Sequence, residues 1–439
     1  MELETLPRTK SPIENDEATI VIATPEDSHH DSPDKTRKSA NLRGHVQFAA
    51  VWWTKFLNGW NDGSSGALLP RIQAVYHVNF VIVSLIFIMA CVGFVVGALI
   101  NVPLLDRIGF GKVLVIGALC QVVVYTLQSA ALPFPAFVMT FTINGIGIAL
   151  EDAQVTSYVA SLKDHPDIKM MLLQAGYGAG AFSAPLVATQ FSQMTHWNFF
   201  YLTSLGIAVT NVIVLWSVFQ LKPLEACFAQ IGQLPEEHHR DTGRSGHNKM
   251  RQFLGMGTVH MLAAFSLVYV GTEVTIGGWI VTFIEQVRGG GASSGYISSG
   301  FFGGLMVGRL ALLWVNRTLG DRISLYLYSF IAIGLELIVW FVPSLIGGAV
   351  AVSLVGFVLG PMYPILMSHT GRVLPRWLLS GSIGWIAGLG QAGSALFPFM
   401  TGAVANKAGI ESLQPMLIGF LSLMVGLWAL VPKEARRPD

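Results

Sequence analysis

Charge is what this chain has least of. Only 12% of its 439 residues are Asp, Glu, Lys or Arg, about half the usual share in a soluble protein. With 52% of residues hydrophobic, one water-facing domain has too few polar side chains to cover its core. Basic and acidic residues nearly cancel, 27 against 26, which removes the electrostatic case for a nucleic-acid partner. Cysteine is scarce as well. Cys91, Cys120 and Cys227 lie far apart, so neither a disulfide framework nor a metal site is expected. No nucleophile, base and orienting group fall into a catalytic arrangement, so neither an enzyme nor a cofactor is expected. The glycine-rich "GYGAG" (Gly176 to Gly180) lacks a Walker lysine and sits in an apolar run, where glycine serves packing. His29-His30 and His238-His239 lie in polar stretches and are not expected to hold metal. The N-terminus lacks the pattern of a cleaved signal peptide, so the first apolar run is expected to act as its own insertion signal.

What the chain has in abundance is long apolar runs and glycine. About twelve runs reach the roughly 20 residues needed to cross a bilayer. Six lie between 46 and 220 and six between 253 and 432. Residues 1–45 are polar and read as a disordered tail, with Ser11-Pro12, Thr24-Pro25 and Ser32-Pro33 as either phosphorylation sites or chance pairs. Residues 221–252 form the longest polar break and read as a linker between two bundles, and 433–439 form a short tail. The fold class expected is therefore an all-α membrane protein of two six-helix bundles.

The halves echo each other. "FLNGWNDGSSGALL" (Phe56 to Leu69) is answered by "VYVGTEVTIGGWIV" (Val268 to Val281), with Gly59, Asn61 and Gly66 aligned to Gly271, Glu273 and Gly278. "AGAFSAP" (Ala179 to Pro185) is answered by "AGSALFP" (Ala392 to Pro398). An internal repeat in a membrane protein points to a transporter whose site lies between the halves. Orientation follows from Lys and Arg. With both termini in the cytoplasm, all but five of the 27 basic residues fall on that side; Arg71, Arg288 and Lys407 face outward, and Lys55 and Arg309 lie within spans. The sequon Asn316-Arg317-Thr318 then faces the cytosol and stays unmodified.

Ionisable residues inside spans are the functional candidates, because burying them in lipid is costly. In the first span Lys55, Asn58 and Asp62 share a helical face with Gly59 and Gly66. That face either lines a cavity or pairs with a neighbouring helix. In the fourth, Asn144, Gly147 and Glu151 share a face, and Asp152 points about 100° away. Desolvation disfavours a charged carboxyl, so Glu151 suits a proton carrier or a substrate ligand, and Asp152 suits a structural partner of Lys55. In the seventh, Tyr269 lies one turn before Glu273. Trp279 offers a flat wall to a sugar ring, or else an interfacial anchor. Gln391, with Asn211, Gln174 and Gln190, suits either a polar solute or helix stapling. Glu336 suits contact with protein or a kink.

The segment "PLLDRIGFGKVL" (Pro103 to Leu114) resembles the signature loop of the major facilitator superfamily: Asp106, Arg107, Gly109 and Lys112 match, while Val102 replaces the leading glycine and Phe110 a basic residue. "GRLALLWVNRTLGDR" (Gly308 to Arg322) is its degenerate second-half counterpart, which includes Arg309. The resemblance implies the major facilitator fold, alternating access, and a cytoplasmic latch made by these residues. "ALLP", "ALEDAQ", "LLQAGYGAGA", "YVGTEV" and "VGR" further resemble the fucose-permease-like branch and its fungal bypass-of-stop-codon-type members. In the bacterial permease a span 4 glutamate and a span 1 aspartate are implicated in proton-coupled sugar uptake. The glutamate carries over to Glu151; the aspartate's slot falls near Gly66, one turn after Asp62. The expectation is a proton-coupled carrier of a small, sugar-like solute in the lipid bilayer. The alternatives are a proton antiporter exporting a metabolite or drug, as "AFSAP" weakly suggests, or a nutrient sensor that does not transport. A monomer in the plasma membrane is expected, with a vacuolar or other endomembrane as the alternative.

Overall fold

The computed structural model describes residues 33–233, 255–374 and 376–432. Within them the chain forms twelve long helices, joined mostly by short links that turn each back on the last. They are α1 (Pro33–Tyr76), α2 (Phe80–Ile108), α3 (Phe110–Ser129), α4 (Phe134–Ala160), α5 (Pro166–Ser192) and α6 (Phe200–Phe219). The second set is α7 (Gly257–Val287), α8 (Tyr296–Ala311), α9 (Asp321–Phe341), α10 (Leu345–Val373), α11 (Arg376–Ala408) and α12 (Leu413–Leu430). Leu224–Gln230 forms a short surface helix after α6, with Cys227 and Phe228 turned into the core. We call the end where α1 begins and α12 finishes the terminal face, and the opposite end the far face.

Eight of these helices are long and apolar enough to cross a membrane on hydropathy alone. α8, bent by 51° into Leu313–Leu319, makes a ninth. α1, α5 and α11 are also long, but polar residues interrupt their apolar runs. The reason is position: they pack against partners at the centre of the molecule, so less of each faces lipid.

The repeat is visible in how the helices pack. α1 lies against α5 as α7 lies against α11, and α2 against α4 as α8 against α10. Each pair closes on glycine, so that backbones touch where a side chain would stand. A β-carbon at Gly59 would fall 1.9 Å from the Tyr177 carbonyl of α5, and one at Gly393 would fall 2.0 Å from that of Leu267 in α7. In α2–α4, Gly93 meets Thr142; in α8–α10, Gly308 meets Phe357.

Two sequence boundaries need correction. α1 begins at Pro33, well before the apolar run at Val46, because no strong breaker interrupts the polar turns and extending a formed helix costs little. The tail expected over 1–45 is thus helical from 33, and 1–32 lie outside the described residues. The expected linker 221–252 contains the surface helix, and its remainder from 234 lies outside them, as do residues 433–439. Asn316 of the sequon is buried, its side-chain oxygen accepting from the Tyr328 hydroxyl at 2.6 Å.

Candidate functional site: a polar chamber between the bundles

The two bundles meet from mid-depth to the far face. Gly66 of α1 touches Gly277 of α7, where an added β-carbon would sit 1.8 Å from the carbonyl oxygen. Phe80 and Phe87 of α2 pack on Trp279. Gln190 of α5 donates to the Tyr296 hydroxyl of α8, and Gln193 to the Ala292 carbonyl at 2.7 Å. Among the described residues, every inter-bundle hydrogen bond lies in this region, including the weak Cys91 thiol contact to the Gln391 carbonyl. These contacts close the molecule at the far face; among the described residues no hydrogen bond joins the bundles nearer the terminal face.

Asp62 stands at the head of the space between the bundles. It is solvent-reachable although helices surround it, which marks it as lining an internal chamber. Tyr177 of α5 donates to its Oδ2 at 2.7 Å, and Asn61 to its Oδ1 at 3.0 Å. Two turns closer to the terminal face, Lys55 is paired with Asp152 of α4, and its Nζ lies 5.8 Å from the Tyr177 ring centre. The second bundle contributes Glu273 of α7, with Arg309 Nη2 of α8 at 3.8 Å from its Oε1. Tyr269 donates to the Leu359 carbonyl at 3.1 Å and stacks on Tyr363, whose ring centre is 6.0 Å away. These groups interact across the gap: Asp62 and Tyr177 both lie within the field of Glu273.

The chamber's charges can be counted. Lys55 balances Asp152, and Arg309 balances Glu273. Asp62 has only neutral donors as direct partners. The chamber therefore carries one acid in excess, an arrangement that repels anions and accepts hydroxyl and amine donors.

Glu151 lies elsewhere. It is fully buried inside the first bundle, where Asn211 of α6 donates to its Oε1 at 2.9 Å. Thr54 of α1 in turn donates to Asn211 Oδ1 at 2.9 Å. Glu151 Oε2 has no hydrogen-bond partner among the described residues. A carboxyl this enclosed cannot touch a solute in the chamber, so the substrate-ligand option is corrected; a proton site remains open to it. Asn58 accepts from Gln121 at 3.1 Å, and Asn144 donates to Asn61 at 2.6 Å. This buried amide track runs from the level of Glu151 toward Asp62.

Two other expectations are corrected. Trp279 is fully buried against Phe80 and Phe87, its indole N–H donating to the Pro398 carbonyl at 3.0 Å. It seals the far face and does not wall the chamber. Arg309 faces inward to Glu273, so it belongs to the chamber and not to the latch. Gln391 of α11 is half-buried between the bundles, its backbone carbonyl accepting from Cys91 and its Oε1 3.5 Å from Ser394 Oγ, so both the solute and the stapling roles stay open to it. In the latch segment Asp106, Arg107 and Lys112 are exposed, and none has an ion pair among the described residues. Gly109 takes φ 85°, a left-handed turn that a side chain would strain. It lets Gly111 donate to the Lys222 carbonyl at 3.0 Å. Glu336 is fully buried in the second bundle, with neither oxygen partnered among the described residues. Sequence reasoning missed Asn61 and Tyr177 as site residues. The echo of Asn61 onto Glu273 was the available signal, since both now face the same chamber.

Comparison with known proteins agrees with this architecture. The sequence pattern described as Major Facilitator Superfamily matches residues 51–398. The chain is 25% identical over 401 residues to the bypass of stop codon protein 6 of Saccharomyces cerevisiae, covering 85% of this chain and 80% of that one. It is 23% identical over 378 residues to a glucose/galactose transporter of Brucella abortus, covering 81% and 87%. Among solved structures, it resembles a bacterial homologue of the human lysosomal transporter Spinster, in an inward-facing and unoccupied conformation. That match has TM-score 0.74 and 11% identity and covers 89% of this chain and 96% of that one. A D-xylose–proton symporter matches with TM-score 0.71 and 12% identity, covering 89% and 98%.

Proposed function

The chain belongs to the Major Facilitator Superfamily, a family of transporters and not of enzymes, and on that premise we propose that it carries a neutral, sugar-like solute coupled to protons. The observation that carries the reading is the polar cluster between the bundles, closed at one face and formed by Asp62, Asn61, Tyr177 and Glu273. Carboxylates, amides and phenols are the donors and acceptors that a polyhydroxylated solute needs. The glucose/galactose transporter among its relatives supports the same class.

Glu151 is the proposed proton site. A carboxylate with one hydrogen bond and no water is costly, and a neutral acid is not. The cycle follows from that difference. With the proton on, the first bundle can close dry around a loaded chamber; with the proton off, Glu151 needs water, which favours the state open to the terminal face. The reading places both termini in the cytoplasm, from the basic residues of the terminal-face segments, and the chain in the plasma membrane as a monomer. The latch of Asp106, Arg107 and Lys112 engages in the opposite state.

The test is flux in proteoliposomes with labelled hexoses and 6-deoxyhexoses, with and without an imposed pH gradient. Accumulation that follows the gradient is expected. Sealed vesicles holding folded protein but showing no sugar flux would overturn the sugar reading and favour export of another metabolite; no flux of any solute would favour a sensor.

A further inference from the structure

At the terminal face, α1, α6 and the surface helix Leu224–Gln230 enclose a groove of about 450 Å³ that the transport reading does not use. Two cations line it, Arg43 and Lys222, and neither has an ion-pair partner among the described residues. Among the described residues no acid lines it; Glu225, on the surface helix, is not part of its wall. Gln47, only 2% exposed, accepts from the Tyr158 hydroxyl at 2.8 Å. Its amide nitrogen reaches Gln230 at 3.3 Å and the Cys227 carbonyl at 3.5 Å, both longer than a good N–H···O bond. Both of its N–H groups are engaged within the protein, which fixes the amide at the base of the groove. Ser217 and Gln220 add a hydroxyl and an amide, and Leu42, Val46 and Val218 form an apolar rim.

The groove's depth in the membrane follows from α6. Ile213 and Trp216 are each 60% exposed, the pattern of a lipid-facing stripe ending in an interfacial tryptophan. One turn later the chain leaves the helix through Gln220 and Leu221, both left-handed at φ 49° and 57°. Ordinary side chains resist that conformation. It is held by the Gly111 N–H on the Lys222 carbonyl, and it delivers Lys222 to the groove. The groove thus begins where the hydrocarbon stripe ends.

We propose that this groove binds the headgroup of an anionic phospholipid. Two uncompensated cations and several neutral donors suit a phosphate, and basic pockets between helices at this depth hold acidic lipids. The apolar rim suits the glycerol and first acyl carbons, for which a dissolved anion has no use.

The test needs no transport assay, so its failure would be distinct from failure of the sugar reading. The full chain is reconstituted in phosphatidylcholine with graded phosphatidylinositol, extracted mildly, and its retained lipid counted by native mass spectrometry. Preferential retention of the anionic lipid is expected. Arg43→Gln and Lys222→Gln should each lower it by about fivefold, Arg43→Lys should restore most of it, and Arg317→Gln, exposed on the other bundle, should leave it unchanged. A thermal melt of each variant separates lost binding from lost folding. Retention unaffected by millimolar inorganic phosphate supports a lipid; displacement by phosphate alone would show a soluble-anion site and overturn the proposal. So would equal retention by wild type and the double variant.

Discussion

Glu151 and Asp152 are neighbours in sequence and occupy different worlds. The 100° step of the helix turns one into the first bundle and the other onto Lys55 at the chamber. That divergence, and the pairing of Asp152 with Lys55, could be read from spacing alone. Depth and lateral facing could not, which is why Arg309, though placed within a span, was given to the latch, and Trp279 was left between a binding wall and an interfacial anchor. A helical wheel gives an angle; only the neighbouring helix decides what fills it. The Lys55–Asp152 pair is mostly enclosed, so removing one member strands a charge. Asp152→Asn should cost about 3 kcal/mol, and the double variant Lys55→Met with Asp152→Leu should recover most of that in a denaturant or thermal melt. A double variant no more stable than Asp152→Asn would contradict the pairing. Cys227, on the surface helix, gives a pH test. Burial pushes its thiol up from the ordinary 9.0 to about 11. The thiol ionises more easily when the chain is unfolded, so its contribution to stability is intact below pH 9 and is lost as pH climbs toward 11. Maleimide should fail to label Cys227 in native protein at pH 7.5, in a Cys91→Ser, Cys120→Ser background; rapid labelling would show that the helix does not cover it.

At the scale of elements, the apolar runs placed all twelve long helices, and even α7, the most buried of those apolar enough to span, stood out by hydropathy. α1, α5 and α11 carry the glycines and polar groups of the centre, and α8 bends where its two apolar stretches meet. α1 also runs from Pro33 because helix extension needs no apolar face. The glycine contacts give this scale its prediction. Gly59→Ala puts a methyl 1.9 Å from the Tyr177 carbonyl, within one bundle, where neither backbone can yield cheaply. The yield of folded protein and its melting temperature should fall. Wild-type stability in this variant would mean that α1 and α5 are farther apart than the structure places them.

At the scale of the whole molecule, the two-bundle plan was legible because the repeat left matching glycines in both halves. The state of the chamber was not, since one sequence supports two packings that differ by a few contacts. The far-face seal supplies the next prediction. Gly66→Ala sets its methyl 1.8 Å from the Gly277 carbonyl, but this contact crosses between bundles that can part. The variant should fold, yet shift toward opening at the far face. A cysteine at Ser65 should become more accessible to an impermeant thiol reagent applied from that side. No gain in accessibility in a folded variant would mean that Gly66 is not part of the seal.

The central claim is that a buried acid in one bundle couples the proton to movement of the chamber. It is tested most directly by comparing wild type with Glu151→Gln in the same proteoliposomes. The amide keeps the shape of the site and its contact with Asn211 but can neither gain nor lose a proton. The account predicts that the variant exchanges labelled sugar for unlabelled sugar across the membrane and no longer accumulates it on a pH gradient. Gradient-driven accumulation by Glu151→Gln equal to that of wild type would contradict it.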